Sequence, residues 1–231
     1  MNNTLLSIYQ CLLDHFGPQD WWPADTPFEV IIGAILTQGV NWKNVEKAIA
    51  NLAQAGVLDP GRLAALPEDE LAQLIRPSGY YRVKAKKIKA FLAFLQDRYE
   101  NDLKKLFAVP LEELRSQLLD IWGIGPETAD SILLYAGGYP SFVVDAYTSR
   151  IMSRLGLVPK EIKYEDLRTL FQENLPTDPK LFNEYHALFV ALGRDYCLKN
   201  KPRCRACPLG EICPSSPPHF STSVSLSPST R

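Results

Sequence analysis

The chain has 231 residues, 46% of them hydrophobic and 22% charged, with a formal net charge of −1, so it can bury one sizeable core or two small ones. No stretch approaches the roughly 20 uninterrupted apolar residues of a membrane span, and MNNTLLSIYQCLLDH lacks the basic start and small-residue cleavage site of a secretory leader. A globular, cytoplasmic, monomeric protein is expected, and any polyanionic partner has to be argued from where the charges sit, because their sum gives no hint of one.

Residues 5–16 carry helix-spaced apolar side chains and stop at Gly17-Pro18. Trp21-Trp22-Pro23 follows, two adjacent aromatics in a loop that could anchor it or offer a stacking surface. Residues 27–37 read as a nearly all-apolar, buried helix ending at Gln38-Gly39, and Asn41 can cap a helix running to Ala55. Short helices are predicted at 61–65 and 68–75, broken by Pro67 and by Pro77-Ser78-Gly79. Tyr80 and Tyr81 then lead into a long basic helix over 82–99, with Ile88, Phe91, Leu92 and Leu95 as its apolar stripe. Its Arg82, Lys84, Lys86, Lys87 and Lys89 are expected to form a solvated face.

Further helices are predicted at 111–121, 127–135, 146–155, 164–175 and 179–196, and the only strand-like run is Phe142-Val143-Val144. About ten helices, short loops and no repeat make the fold class all-α. Past Cys213 the composition shifts to Ser, Pro and Thr, so residues 215–231 are expected to form a disordered tail.

Two stretches carry chemistry. The first is IWGIGPETADSILLYAGGYPSFVVD, residues 121–145. Gly123-Ile124-Gly125 followed by Pro126 is a turn into a helix N-terminus, where free backbone N–H groups and the helix dipole suit a phosphate oxygen. The same pattern also makes an ordinary helical corner. Asp145 stands where it can cap the helix starting at Ala146. The second stretch holds Cys197, Cys204, Cys207 and Cys213, separated by six, two and five residues. Four thiolates in so short a loop call for a soft cation or an iron–sulfur cluster, and spacing alone decides poorly between zinc and iron–sulfur. Cys11, among apolar residues, reads as a buried free thiol.

The cysteine spacing resembles that of the endonuclease III superfamily of DNA glycosylases. The 121–145 stretch resembles that family's helix-hairpin-helix motif followed by its catalytic aspartate. The similarity spans roughly residues 20–213, in the order the family uses. It implies a 4Fe-4S cluster on the four cysteines and double-stranded DNA with a damaged base as partner. It assigns the hairpin glycines Gly123 and Gly125, and the loop residues Lys199, Lys201 and Arg203, to DNA phosphates. Asp145 matches the acid that stabilises the sugar cation and positions or deprotonates water. Gln38 matches a glutamine that fills the gap left by a flipped nucleotide, and Tyr80 matches a wedge beside the estranged base.

One departure bears on reaction type. Members that also cut the strand carry a lysine two residues after the second hairpin glycine, and here that place is Glu127, which cannot form a Schiff base. The resemblance therefore implies a monofunctional glycosylase. Adenine-specific relatives carry a glutamate where this chain has Gly33. Trp21-Trp22-Pro23, Leu36-Thr37-Gln38 and Trp42 together resemble the 3-methyladenine branch, which implies that Trp21, Trp22 and Trp42 form a base pocket able to sandwich a cationic alkylated purine. That branch has members without the cluster, whereas this chain keeps all four cysteines. The alternatives are a monofunctional thymine or uracil mismatch glycosylase and a non-catalytic DNA-damage-binding protein. The expected architecture is a six-helix lobe over residues 24–140, with a second lobe from 1–23 and 141–214 that holds the cluster.

Overall fold

The computed structural model describes residues 1–217; most of the expected tail lies outside the described residues. The described residues form an all-helical fold with no strand. In chain order the helices are α1 (Asn2–Phe16), α2 (Pro27–Leu36), α3 (Trp42–Gln54), α4 (Pro60–Ala65), α5 (Glu68–Leu74), α6 (Tyr81–Tyr99), α7 (Leu103–Leu106), α8 (Leu111–Leu119), α9 (Pro126–Ser131), α10 (Ala146–Arg154), α11 (Tyr164–Asn174) and α12 (Pro179–Asp195). No helix among the described residues is long and apolar enough to cross a membrane.

Local chemistry sets most of the helix starts. Thr26, Asn41, Asp59, Asp102, Asp145 and Asp178 each accept a hydrogen bond from a first-turn backbone N–H, satisfying a donor that the helix itself leaves open. Proline at the first turn of α2, α4, α9 and α12 removes another such donor.

Two apolar cores form. One packs α2 to α9 around Ile31, Ile35, Ile88, Phe91 and Leu118. The other joins α1 to α10, α11 and α12 around Leu5, Phe142, Phe171, Tyr185 and Phe189, with Phe142 and Phe171 stacked at 4.0 Å. Between them, α9 passes into a π-helical turn, Ile132–Ala136. Leu133 points into the first core and its neighbour Leu134 into the second. The helix predicted at 127–135 is thus one α-turn segment plus this π turn. The wider turn rotates successive side chains onto different faces, which the apolar run Ile-Leu-Leu by itself does not specify.

A buried ionic cluster ties the two cores together. Asp130 is fully buried and takes Arg115 Nε at 2.8 Å and Nη2 at 3.0 Å, Ser141 Oγ at 2.5 Å and Tyr164 OH at 2.8 Å, with Arg168 Nε at 3.3 Å.

The strand-like run Phe142-Val143-Val144 is buried, extended chain between elements, apolar because it crosses the second core. The basic helix also differs from expectation. Lys84 is buried and its Nζ donates to Leu36 O at 2.8 Å and Ser78 O at 2.5 Å. Lys89 donates to the carbonyls of Leu63, Ala64 and Leu66 where α4 ends. Both amines close helix ends, so this face is only partly solvated.

Candidate active-site cleft

The turn predicted at 123–125 is present. Gly123 has φ of +85°, a left-handed conformation that glycine adopts without strain, and a Cβ there would lie 2.5 Å from Lys87 Cγ. Gly125 is the N-cap of α9. Neither glycine N–H has a hydrogen-bond partner among the described residues, so both remain available to an acceptor. Gln38, at the end of α2, reaches across to this turn. Its Nε2 donates to Thr128 Oγ1 at 2.9 Å and to Gly123 O at 3.3 Å, while Lys87 Nζ donates to its Oε1. Tyr80 begins α6 in a left-handed conformation with 79% of its surface exposed. Trp122, also exposed, lies in the hairpin turn itself.

Asp145 caps α10: its Oδ1 accepts from Thr148 N at 2.7 Å and from Thr148 Oγ1 at 2.9 Å. Its Oδ2 faces His186 Nε2 of α12 at 3.7 Å, beyond hydrogen-bond length but within the reach of a charge contact. His186 Nδ1 in turn meets Tyr135 OH at 2.5 Å. Burial alone would raise the Asp145 carboxyl, but His186 and the Thr148 bonds outweigh it and hold the group below its ordinary value. The opposite holds for Glu127. Its side chain opens to solvent yet is recessed among protein atoms, and that partial dehydration, with the Asp145 charge adding to it, raises its carboxyl against a smaller lowering influence from His186. Tyr135 is half-buried and its phenol is pushed well above the ordinary value, first by burial and then by Asp145. Tyr135 and His186 were invisible to the sequence reading; the one available signal was a histidine on the otherwise apolar face of α12.

Trp21, Trp22 and Trp42 do come together. Their ring centres are 5.2 Å apart for Trp21 to Trp22, 5.2 Å for Trp21 to Trp42 and 5.0 Å for Trp22 to Trp42, and Tyr135 joins Trp22 at 5.1 Å. The three indoles meet at interplanar angles of 53°, 59° and 87°. They pack on one another without opening a parallel slot between them, so a flat base would have to stack on an outer face of the cluster. Gly33 explains the position of Trp22: a Cβ at Gly33 would stand 3.2 Å from the indole Cζ2. A glutamate at this place would push the ring away.

The four cysteines converge. Cys197, Cys204, Cys207 and Cys213 line one cavity with Arg154, Tyr196 and Gly210. Among the described residues no group of His, Cys, Asp or Glu is spaced to hold a single metal ion, whereas a multi-atom cluster takes its ligands from farther apart. The donor set fits such a cluster: all sulfur, with the Arg154 guanidinium 3.2 Å from Cys197 Sγ as a charge partner. Burial, together with the other three cysteines, pushes the Cys207 thiol up to about 11, so four thiolates would need a cationic centre among them. Arg154 and Arg150 also hold the carbonyls of Cys197, Leu198 and Lys199. The loop they fix carries Lys199, Lys201 and Arg203, all exposed.

Residues 32–177 match the HhH-GPD superfamily of base excision DNA repair proteins. Across 211 residues the chain is 47% identical to a Methanocaldococcus jannaschii protein named "Putative DNA repair glycosylase", covering 90% of this chain and 95% of that one. Its fold is similar to that of endonuclease III in a non-covalent complex with DNA, with a TM-score of 0.80 at 25% identity over 93% of this chain and 96% of that one. It is also similar to Helicobacter pylori 3-methyladenine DNA glycosylase bound to 1,N6-ethenoadenine, with a TM-score of 0.68 at 27% identity over 83% of this chain and 94% of that one.

Proposed function

The chain belongs to the HhH-GPD superfamily of base excision DNA repair proteins, and on that premise we propose that it hydrolyses the N-glycosidic bond of alkylated purines of the 3-methyladenine type, leaving an abasic site and an uncut strand. The observation that carries this reading is Glu127: an acid stands at the place of the strand-cutting lysine, near enough to Asp145 to feel its charge, while Asp145 is held below its ordinary value. A carboxylate cannot form an imine with the sugar. An ionised Asp145 can stabilise the cation that develops on the sugar as the bond breaks, and its free Oδ2 side can orient or deprotonate water.

A 3-methylated adenine is cationic and already a good leaving group, so little acid catalysis is needed. The indole cluster offers it an electron-rich face, a contact of about 0.5–2 kcal/mol. That is enough for preference, and the rest of the discrimination falls to the lability of the alkylated base. In this reading the Gly123 and Gly125 amides and the loop residues Lys199, Lys201 and Arg203 take phosphates. Gln38 fills the gap in the duplex and Tyr80 wedges beside the estranged base. Cys197, Cys204, Cys207 and Cys213 would hold a 4Fe-4S cluster, whose part is to fix the shape of the phosphate-binding loop; an absorption spectrum with an iron count checks it.

The test is a panel of single-lesion duplexes. Release of 3-methyladenine is expected from wild type and, with Asp145→Asn, a loss of about 10²- to 10⁴-fold, the usual worth of a general base. Borohydride should trap no protein–DNA adduct, and a strong adduct would overturn the monofunctional reading. Release only of thymine or uracil opposite guanine would transfer the chain to mismatch repair. Tight lesion binding without any release would make it a damage-binding protein.

A further inference from the structure

We propose that Tyr135 and His186 form a positioning relay for Asp145, in which the Tyr135 hydroxyl orients the imidazole and the imidazole Nε2–H holds the Asp145 Oδ2 edge toward the reacting sugar. The inference deepens the glycosylase reading and rests on it for its catalytic half.

Three observations converge. His186 is only 7% exposed, and its Nε2 makes no hydrogen bond among the described residues while pointing at Asp145 Oδ2 from 3.7 Å. A buried ring nitrogen left without a partner is disfavoured unless something closes on it, and distances of this kind in a site without substrate tighten when it is filled. Second, Tyr135 is half-buried against Trp22 and has the His186 ring nitrogen, at 2.5 Å, as its hydroxyl partner. With the phenol donating to Nδ1, a neutral imidazole carries its proton on Nε2, the edge that faces Asp145. Third, Asp145 is anchored on one oxygen only, where Thr148 supplies both bonds. The second oxygen has no hydrogen bond among the described residues, and His186 Nε2 stands beside it at 3.7 Å.

The origin of each part explains why it is rigid. Tyr135 lies in the π-helical turn between the two cores, His186 on α12, and Asp145 at the N-cap of α10. Three separate elements therefore meet at one imidazole. The charged or titratable groups facing Asp145 are His186 from α12, Tyr135 from the π turn and Glu127 from α9. Helix α1, which also packs on α12, directs Tyr9 to Tyr185 and His15 to Tyr196, away from His186.

A purely structural His186 and a relay predict different things. Because the imidazole lowers the Asp145 carboxyl, its removal raises that group, so the acid side of the pH–rate profile moves toward neutral pH. In His186→Leu, kcat for base release should fall about 10- to 100-fold with KM nearly unchanged, the range seen for orienting partners elsewhere, and the acid limb should shift upward. In His186→Gln, which keeps an amide donor at similar reach, most of the rate and the original limb should return. Glu127→Gln, run alongside, identifies any part of the limb that belongs to Glu127. A His186→Leu profile lowered at every pH without a shift would overturn the relay, as would failure of His186→Gln to restore it.

A second readout does not depend on turnover. In protein labelled with ¹⁵N-histidine, the His186 ring should show a protonated Nε2, and both Asp145→Asn and Tyr135→Phe should move its nitrogen signals. Signals indifferent to Asp145→Asn overturn the relay even if base release is normal. If no alkylated base is released from any duplex, the substrate reading falls, and the nitrogen spectrum still decides the relay.

Discussion

Asp130 and Asp145 are both held within the protein, on either side of the π-helical turn, yet they are solvated by protein in opposite ways. Asp130 has both oxygens taken up by two arginines, a serine and a tyrosine. Asp145 has one oxygen saturated by Thr148 and the other facing a histidine that stops short of bonding it. A fully paired buried charge has no capacity left for a substrate; it serves to fix the structure around it, here by linking α8, α9 and α11. A half-paired acid retains a lone pair for chemistry, and its environment can still choose its charge. The DNA-repair reading thus falls on the less satisfied of the two acids.

Substitutions can break this contrast, beginning with the largest expected effect. Asp130→Ala leaves two buried guanidinium groups without their shared partner and should cost about 3–5 kcal/mol of stability, measurable by denaturant unfolding. Asp145→Ala removes a helix cap and should cost only about 1 kcal/mol, although base release collapses. If the two variants lose equal stability, the distinction between a structural and a chemical acid fails. Thr148→Val is the mildest: it deletes the Oγ1 bond but keeps the backbone one, and should cost about 0.5 kcal/mol. It should also raise the Asp145 carboxyl, since one bond that lowers it is gone. The sign follows from linkage: stability contributed by a depressed carboxyl is present above its unfolded value and is lost as pH falls through the folded one. The Asp145 contribution therefore disappears on the acid side, and in Thr148→Val it is smaller and its loss is complete at a higher pH.

Much of this was legible from residues acting locally. Asn41 and Asp145 cap helices because each amide or carboxylate reaches an N–H three residues away. Gly123 turns the chain because φ of +85° is open to it. The cysteines announce themselves by spacing, and they do line one cavity. Even Glu127 could be singled out, since its meaning lies in its offset from Gly125.

The rest depended on residues far apart in sequence. Lys84 and Lys89 carry the same charge as the exposed lysines beside them, and only the carbonyls of distant segments draw them inward. The three tryptophans do meet, but their tilted packing follows from Trp22 lying on the bare backbone of Gly33. What the sequence determined by itself was the all-helical class, the hairpin turn, the capping acid Asp145 and the convergence of four cysteines, because caps, turns and spacings act over a few bonds. What the tertiary structure decided was which acid is left half-satisfied. The partners that settle it, Tyr135 and His186, meet Asp145 only when two cores close around a π-helical turn.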